Sequence, residues 1–446
     1  MEYGDYFKNK RVTIMRLGLL GRGVGDASFL AEAGALVHVV DDAPAEVMQP
    51  SVEALATYPN ITFTFGPYQS EHFTDCDMVL VGAGAPLDVP VLAAARAAGV
   101  PLKQSAALFA ELSGIPVIGV TGTRGKSTVT HLIHHVLSVV TGEHIILGGN
   151  VRGVSSLQLL KEVKEDSIAV MELDSWQLQG WGWAGISPQV AVFTNFMEDH
   201  MNYYSGDMEA YFADKANIFI NQPESGILVT TPEVFELAKV FALGRKVTLG
   251  QEVALVDASI LPDDLLLAMP GEHNRLNAAL AYRALAALNL DDEEIFEAMT
   301  SFPGVEGRLQ FIGEVNGVRI YNDNNSTTPQ ATIAGLEALA VDGERKIVLI
   351  AGGAYKNVDP TLMIDVIDRT TKYVALLAGT GTDLIAEELD ADVFDSLTAA
   401  VESALARAEA GDTLLFSPGF ASFGMFRNEY DRNDQFVKII TTYAAE

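Results

Sequence analysis

Short apolar runs alternate with stretches of helical periodicity along the whole chain. The runs at residues 36–40, 78–81, 117–120 and 168–171 are almost continuously apolar, which is typical of strands buried on both faces of a parallel sheet. Between such runs, apolar positions recur every three or four residues, as on the buried face of a helix. The alternation predicts the α/β fold class, with doubly wound sheets covered by helices.

The series of strands and helices starts afresh twice, which predicts three domains. At 446 residues the chain is also too long for one hydrophobic core. A linker at residues 113–116 follows the first series, and the pattern restarts after residues 302–304. We therefore expect domains at residues 1–111, 112–303 and 304–446.

Composition and charge narrow the class of protein. Hydrophobic residues make up 49% and charged residues 20% of the chain, the balance of a soluble globular protein. A formal net charge of −30 argues against a binder of nucleic acid or of anionic membranes, because such a protein needs a broad basic face. No apolar run is long enough to cross a bilayer, and residues 1–11 lack the apolar segment of a signal peptide. The single cysteine, Cys76, suits a reducing cytosol, so we expect a cytoplasmic protein. As a separate expectation, the protein would be a monomer.

The strand at residues 117–120 opens a glycine-punctuated loop that a helix follows. Such a loop directs backbone N–H groups and the positive end of the helix into one pocket, where they bind phosphate. Lys126 would add a charge for the β- and γ-phosphates, and the Ser127 hydroxyl would bind magnesium. The alternative is a structural turn, since the leading glycine of the general pattern falls at Val120. We favour nucleotide binding by Gly122, Thr123, Arg124, Gly125, Lys126, Ser127 and Thr128.

Polar residues follow several strands of the central series. Asn150, Glu172, Asn195 and His200 come where a predicted strand ends or shortly after it. Because ligands gather at the carboxyl ends of parallel strands, we expect these residues at the edge that carries the phosphate loop. Glu172 is well placed as an oxygen ligand of magnesium. Each residue by itself is explained as well by a helix cap or a turn.

Lys215 is centred in an apolar stripe of a predicted helix at residues 207–221. Its neighbours one turn away on either side are aromatic or aliphatic. Such a lysine either reaches the rim or pairs with an acid, or it is buried with a lowered pKa and reacts as a neutral amine.

The opening of the chain follows the plan of a Rossmann-like nucleotide site. A glycine-rich turn with Gly18 follows the first strand, and Asp41 comes directly after the second. Arg16 replaces the first glycine of the fingerprint, so its guanidinium would either block a pyrophosphate or bind it. A second loop of the same kind contains Gly84.

Amides and polar loops also mark the later part of the chain. Asn274 and Asn277 share the first turn of a predicted helix, where they would either hydrogen-bond a heterocycle or cap the helix. The strands of the third series end in polar loops at residues 322–328, 351–356 and 417–422. This arrangement again predicts ligand binding at one edge of a sheet.

Together these motifs resemble those of the Mur ligases, the ATP-dependent amide-forming enzymes of peptidoglycan precursor synthesis. The resemblance extends over all three domains. The amino-acid sequences of the motifs are most similar to those of the D-glutamate-adding members. The motifs are residues 122–128, Gly149 with Asn150, residues 172–177, Thr194 with Asn195, Asp199 with His200, Lys215, residues 271–277, Arg308, Asn322 with Asp323, and residues 417–422.

The resemblance implies a fold and an activity. The first domain would be a Rossmann-like UDP-binding domain, the second a P-loop ATPase domain, and the third a Rossmann-like domain that binds an amino acid. The protein would join D-glutamate to UDP-N-acetylmuramoyl-L-alanine at the expense of ATP, through an acyl phosphate and with release of ADP. Its partners would be these small molecules. The alternatives are a ligase with L-glutamate or another acceptor, and an inactive nucleotide-binding regulatory protein.

The resemblance also implies roles for individual residues. The catalytic residues would be Lys126, Asn150, His200 and Lys215, the last carbamylated by carbon dioxide. Two magnesium ions would be held by Ser127, Glu172, His200 and Lys215. Further contacts to ATP would come from Asn274, Asn277, Arg308 and Asp323. The UDP-sugar would be bound by Gly18, Leu19, Leu20, Asp41 and Gly84. Glutamate would be bound by Thr327, Lys356, Ser422 and Phe423.

Four positions depart from the pattern of the family. Arg16 stands where glycine is usual, and Asp174 stands where serine is common beside the metal site. Asn325 replaces an expected lysine, and Glu429 occupies a position that is often aromatic. The last two affect the acceptor pocket, so the stereochemistry of the glutamate stays open.

Overall fold

A computed structural model of the protein describes residues 3–18, 21–245, 252–341 and 343–444. Its strands form three sheets, one of five strands and two of six. Helices connect the strands and cover the sheets, so the α/β class predicted from the sequence is confirmed. No helix in the described ranges is long and apolar enough to span a bilayer.

The chain divides into two compact units. The first contains residues 1–260 and 279–295, and the second contains residues 261–278 and 296–446. The first unit includes the first two sheets, and the second unit includes the third.

The first sheet has five strands: β1 (Arg11–Met15), β2 (Leu36–Asp41), β3 (Ile61–Phe65), β4 (Met78–Val81) and β5 (Leu102–Lys103). They are parallel and lie in the order β3-β2-β1-β4-β5. The helices of this region are α1 (Tyr3–Phe7), α2 (Arg22–Glu32), α3 (Ala45–Leu55), α4 (Glu71–Thr74), α5 (Pro90–Ala97) and α6 (Ser105–Ser113). The chain order reverses between β1 and β4, which opens a crevice at their carboxyl ends.

The second sheet has six strands: β6 (Val117–Thr121), β7 (Ile145–Gly149), β8 (Ile168–Glu172), β9 (Val190–Phe193), β10 (Ile227–Thr230) and β11 (Glu252–Leu255). They are parallel, in the order β11-β10-β9-β6-β8-β7. The helices that follow these strands are α7 (Lys126–Val140), α8 (Ser175–Ala184), α9 (Met201–Tyr204), α10 (Met208–Ala216), α11 (Pro232–Arg245), α12 (Glu272–Ala286) and α13 (Asp292–Thr300). All five residues of β6 are buried, as expected for a central strand with helices on both faces.

The third sheet also has six strands: β12 (Gln310–Val315), β13 (Val318–Asn322), β14 (Ile347–Gly352), β15 (Thr371–Leu377), β16 (Ala391–Phe394) and β17 (Thr413–Phe416). Their order is β12-β13-β17-β14-β15-β16. Its helices are α14 (Pro329–Leu339), α15 (Thr361–Thr370), α16 (Leu397–Arg407) and α17 (Glu429–Ala444). Neighbouring residues of β14 pack into different hydrophobic clusters, Val348 into one and Leu349 into the other, so the core lies on both faces of the sheet.

Two features of the fold differ from the sequence expectation. β12 pairs with β13 in antiparallel fashion, through a tight turn in which Asn316 and Gly317 have positive φ. The helix expected at residues 207–221 ends at Ala216, because the next amides donate to carbonyls three residues back. Lys215 therefore lies in the last turn of α10.

Candidate active site

The phosphate loop connects β6 to α7 at the centre of the second sheet. Its shape depends on glycine, since Gly125 at the start of α7 and Gly122 have φ of 81° and 143°. A Cβ on Gly122 would lie 1.9 Å from the hydroxyl oxygen of Thr194 and 3.1 Å from the backbone nitrogen of Asn195. The Thr123 N–H donates to the carbonyl of Asn195 at 2.9 Å, so the loop is fixed to the end of β9.

Lys126 and Ser127 lie in the first turn of α7. The Lys126 Nζ donates to the carbonyls of Gly122 and Thr123, at 3.0 Å each, which folds the side chain back over the loop. The backbone N–H of Arg124 is held by the Asn195 side chain at 2.8 Å. The predicted arrangement of strand, loop, lysine and helix start is therefore present at the end of β6.

Lys215 reaches this loop from α10. Only 1% of the residue is exposed, and its Nζ donates to the carbonyl of Gly122 at 2.7 Å. No ion pair in the described part of the chain includes Lys215, so neither the rim nor the acid-paired alternative applies. Burial, and then the charge of Lys126, lower the pKa of Lys215 well below its usual value. The site thus contains a buried lysine whose charged form is disfavoured by its surroundings.

Asn150 and Glu172 meet at the ends of β7 and β8. The Asn150 amide donates to Glu172 Oε1 at 3.2 Å, and its oxygen accepts from Arg22 Nη1 at 2.7 Å. The predicted pair is thus joined, and Arg22 of α2 is a neighbour that the sequence reading missed.

His200 precedes α9 with a left-handed backbone, φ 56°. Its ring lies 4.5 Å from that of Trp176, and its Nε2 is 3.8 Å from Asp199 Oδ2. Burial lowers the pKa of His200 and the charge of Lys126 acts in the same direction, whereas the neighbouring Asp199 carboxylate opposes the shift. The imidazole is therefore neutral at physiological pH and available as a ligand or an acceptor.

Ser127 and Glu172 carry oxygen donors of the kind that magnesium prefers. Glu172 is 3% exposed and has no ion pair within the described residues, and such a buried carboxylate is costly without a cation. His200 and an unmodified Lys215 do not fit a second magnesium ion, because a lysine nitrogen is not among its preferred ligands. No cluster of three or more His, Cys, Asp or Glu in the described ranges is arranged to hold a metal.

The first sheet has a cavity of about 190 Å³ at its switch point, lined in part by Gly18, Arg16 and Arg22. Asp41 and Gly84 are not among the lining residues. Instead, Asp41 accepts from the Leu17 N–H at 2.8 Å, and the Gly84 carbonyl accepts from Arg16 Nη1 at 3.0 Å. The other two predicted contacts, Leu19 and Leu20, lie outside the described residues.

The candidate glutamate residues lie on the loops after β13, β14 and β17. Lys356 Nζ donates to Thr327 Oγ1 at 3.3 Å, so two of the four come together. The backbones of Ala354 and Ala421 form a bridge, which brings the β14 loop to the loop that carries Ser422. Ser422 is buried, whereas Phe423 is 63% exposed.

Asp323 follows β13 and is enclosed by its own domain. Its carboxylate accepts hydrogen bonds from the Leu309 N–H and from the hydroxyls of Ser326 and Ser417. Burial raises the pKa of Asp323 to about 6, and the charge of Arg308 opposes that shift. The carboxylate organises the two loops, and its predicted contact to ATP stays a prediction, as does that of Arg308.

Asn274 lies in the first turn of α12, and Asn277 lies one turn further along the helix. The Asn274 amide donates to the carbonyl of Pro270 at 2.9 Å, and the Asn277 amide donates to the Asn274 oxygen at 3.3 Å. Neither bond is a helix cap, because no side-chain oxygen accepts from a backbone N–H. The predicted contact to adenine stays a prediction.

Sequence reasoning missed the fully buried Arg432 of α17. Its Nε donates to Asn324 Oδ1 at 2.8 Å, its Nη2 to the Asn324 carbonyl at 2.9 Å and its Nη1 to the Phe420 carbonyl at 3.2 Å. Burial lowers its pKa to about 10. Arg432 thereby ties the loop after β13 to the loop after β17. No local pattern marks it, because it lies in an ordinary charged stretch of the sequence.

Comparisons with known proteins agree with this architecture. A profile of the Mur ligase middle domain matches residues 120–285, and a profile of the Mur ligase glutamate ligase domain matches residues 307–420. The UDP-N-acetylmuramoylalanine--D-glutamate ligase of Roseiflexus sp. (strain RS-1) is 34% identical, with 97% of this chain and 99% of the relative covered. The protein of the same name from Pseudoalteromonas translucida (strain TAC 125) is 31% identical, with 99% of both covered.

Solved structures support the same fold. The UDP-N-acetylmuramate-alanine ligase of Thermotoga maritima aligns with a TM-score of 0.60 at 18% identity, covering 97% of this chain and 100% of that one. The MurF ligase of the same organism, solved with ADP, also has a TM-score of 0.60, at 15% identity, covering 99% of this chain and 97% of that one. Because several relatives exceed 30% identity over nearly the whole length, the chain belongs to the Mur ligase family.

Proposed function

We propose that this protein joins D-glutamate to UDP-N-acetylmuramoyl-L-alanine with ATP, releasing ADP and phosphate, in the synthesis of peptidoglycan precursors. The observation that carries the proposal is the contact between the buried Lys215 and the carbonyl of Gly122 in the phosphate loop. A protein that only binds nucleotide has no need of a neutral lysine there. The acceptor comes from the printed names of relatives that match the chain over nearly its full length.

The reaction would proceed in two balanced steps. An oxygen of the alanine carboxylate attacks the γ-phosphorus of ATP, the bond to the bridging oxygen breaks, and ADP leaves. The amine of glutamate then attacks the acyl carbon, loses a proton, and expels phosphate as the amide forms. Both steps bring anions together, so the protein contributes mainly positioning and charge neutralisation.

Different residues at the phosphate loop would have different roles in these two steps. Lys126 and the loop amides would hold the phosphates of ATP, and Asn150 would orient the acyl phosphate. Magnesium held by Ser127 and Glu172 would neutralise phosphate charge. We further propose that Lys215 takes up carbon dioxide as a carbamate, whose oxygens would complete a second magnesium site with His200. The lowered pKa of Lys215 supports this step, because only a neutral amine forms a carbamate.

The other binding roles are extensions of the proposal. Glutamate would be bound at the third sheet by Thr327, Lys356, Ser422 and Phe423. The UDP-sugar would be bound at the first sheet, and the candidate contacts to ATP outside the phosphate loop are Asn274, Asn277, Arg308 and Asp323. These roles correspond to three functional domains, at residues 1–111, 112–303 and 304–446. We also propose that the protein acts as a monomer in the cytoplasm.

A direct assay tests the proposal. Purified protein is supplied with ATP, magnesium and UDP-N-acetylmuramoyl-L-alanine, and phosphate release is measured with a panel of amino acids. We expect release with D-glutamate and little with L-glutamate. No release with any amino acid would disprove the ligase, and a preference for L-glutamate would correct the acceptor. That second outcome has a structural rationale, because Asn325 and Glu429 depart from the family pattern near the acceptor loops.

A further inference from the structure

His200 lies at the start of a short turn that its own backbone does not hold in place. α9 is a single helical turn, and the residues that flank it, His200 and Ser205, have left-handed backbones with φ of 56° and 53°. One helical turn is unstable by itself, and a left-handed residue with a side chain is strained. The position of the His200 imidazole therefore depends on contacts from other elements.

One carboxylate oxygen joins α9 to the two longer helices beside it. The hydroxyl of Tyr204, the last residue of α9, donates to Asp214 Oδ2 of α10 at 3.0 Å. The same oxygen accepts from Gln179 Nε2 of α8 at 2.7 Å. Tyr204 and Gln179 are buried and Asp214 is half-buried, which strengthens these hydrogen bonds relative to exposed ones. The Asp214 carboxylate thus connects α8, α9 and α10 at one point.

Aromatic rings enclose the other side of the turn. The centroid of the His200 ring lies 4.5 Å from that of Trp176, which in turn lies 5.6 Å from that of Tyr203. The Tyr203 hydroxyl accepts from Gln179 Nε2 and donates to the Ala85 carbonyl, at 3.3 Å each. The rings limit where the imidazole can lie, while the hydrogen bond to the carboxylate fixes the end of α9.

α10 also carries Lys215, the residue directly after Asp214. Side chains of consecutive residues on a helix point in different directions. Accordingly, Lys215 Nζ donates to the Gly122 carbonyl of the phosphate loop at 2.7 Å, whereas Asp214 accepts from Tyr204. One turn of α10 therefore fixes both the lysine at the phosphate loop and the turn that carries His200.

We infer that Asp214 is a positioning residue for His200 and that it acts through Tyr204. The carboxylate holds the end of the same helical turn at whose start His200 lies. Without this hydrogen bond the strained turn would relax, and the imidazole would move away from Trp176. The inference rests on the proposed function for the role of His200 in the ligase reaction, whereas the placement of its ring is tested without substrates.

The first measurement is the nuclear magnetic resonance signal of the His200 ring in the full chain, assigned by its disappearance in His200→Gln. A neighbouring aromatic ring shifts such a signal, so the signal reports the contact with Trp176. We expect Tyr204→Phe, which removes only the hydroxyl, to move it towards the signal of an exposed histidine. Tyr282→Phe is the matched control, because it removes another tyrosine hydroxyl that donates to an aspartate, Asp292, at 3.0 Å. It should leave the His200 signal unchanged.

The second measurement is the rate of phosphate release. We expect kcat to fall by about 10-fold in Tyr204→Phe, the value of a hydrogen bond to a charged group. The KM for ATP should change by less than about twofold, because the N–H of Thr123 holds the phosphate loop to the end of β9 separately. Asp214→Ala should lower kcat to a similar extent, and the double variant should be no slower, since both changes break one bond. Asp214→Asn keeps the volume and an oxygen acceptor and should retain more activity than Asp214→Ala.

Two outcomes would overturn the inference. A His200 signal that stays in place in Tyr204→Phe, with or without a loss of stability, would mean that the bond only packs the three helices together. Additive losses in Tyr204→Phe and Asp214→Ala would mean that the two side chains act separately. Failure of the proposed function is a distinct result: a wild type that releases no phosphate, with a His200 signal that depends on Tyr204, would reject the ligase and keep the positioning role.

Discussion

Two lysines donate to one carbonyl at the phosphate loop. Lys126 Nζ and Lys215 Nζ lie 3.0 Å and 2.7 Å from the oxygen of Gly122. Two ammonium groups so close repel each other, and the more deeply buried one gives up its proton more easily. Burial and, after it, the charge of Lys126 therefore lower the pKa of Lys215.

Replacing Lys215 by Ala tests this assignment. We expect phosphate release to fall by about 10²- to 10³-fold, the loss typical when one preorganised electrostatic group is removed. A small added carboxylate such as formate should restore part of the rate, because it supplies the missing anionic oxygens. The control is Lys239→Ala, whose side chain on α11 is 42% exposed. A fully active Lys215→Ala protein would refute the carbamate.

Asp26 makes the stability of the first unit depend on pH. Burial raises the pKa of Asp26 from 3.8 to about 6, so the folded state binds the proton more tightly than the unfolded state. The free energy of unfolding therefore falls as pH rises from about 4 to about 6. Asp26→Asn should reduce this fall by up to about 3 kcal/mol, as measured by urea unfolding across the window.

Asp359→Asn is the control for this measurement. Hydrogen bonds from Thr361 lower the pKa of the exposed Asp359, so this group titrates in the opposite sense and its replacement should not reduce the fall. An Asp26→Asn protein with the same pH profile as the wild type would mean that the buried carboxyl is not protonated in the folded state.

At the scale of elements, three loops of the third sheet are tied together at one edge. The loops after β13 and β17 are tied by Arg432, and the loops after β14 and β17 are joined by the bridge between Ala354 and Ala421. The sequence predicted these loops at strand ends, since parallel strands place their carboxyl ends on one edge. It did not predict Arg432, because a buried arginine without an acid is uncommon.

Replacing Lys356 by Ala should weaken the binding of glutamate, the acceptor, and leave the binding of ATP unaffected. We expect the KM for glutamate to rise by about 10- to 100-fold, since a hydrogen bond to a carboxylate is lost. The KM for ATP should change by less than about twofold. Lys346→Ala is a matched control, because Lys346 precedes the same strand at its opposite end. An equal rise in both constants would place Lys356 outside the acceptor pocket.

Element boundaries show where local patterns stop being informative. β8 includes Glu172, one residue beyond the predicted apolar run, because a glutamate with an amide partner can complete a buried strand. The antiparallel β12 was missed because half-buried edge strands lack the continuous apolar signal. α10 ends earlier than expected because the amides that follow it donate to carbonyls three residues back, and not four as in an α-helix.

At the scale of the whole molecule, the net charge of −30 lowers the stability of the folded state. Uncompensated negative charges repel one another in the compact state, and salt screens them within about 8–10 Å at physiological strength. We expect the first unfolding midpoint at pH 7.5 to rise with sodium chloride, by about 2–4 °C for each kcal/mol relieved. The increment should shrink near the isoelectric point of about 4.5. A midpoint that falls with salt would contradict the expectation.

The α/β class, the phosphate loop and most of the residues at strand ends follow from the amino-acid sequence alone. These features are local: strand and helix periods, glycine positions, and the rule that parallel strands end at one edge. The tertiary structure decided the pairings that give them chemistry, between Lys215 and Gly122, between Arg22 and Asn150, and between Arg432 and Asn324. These partners are 93, 128 and 108 positions apart in the chain. No period or spacing encodes such contacts, because they form only when separate elements pack together.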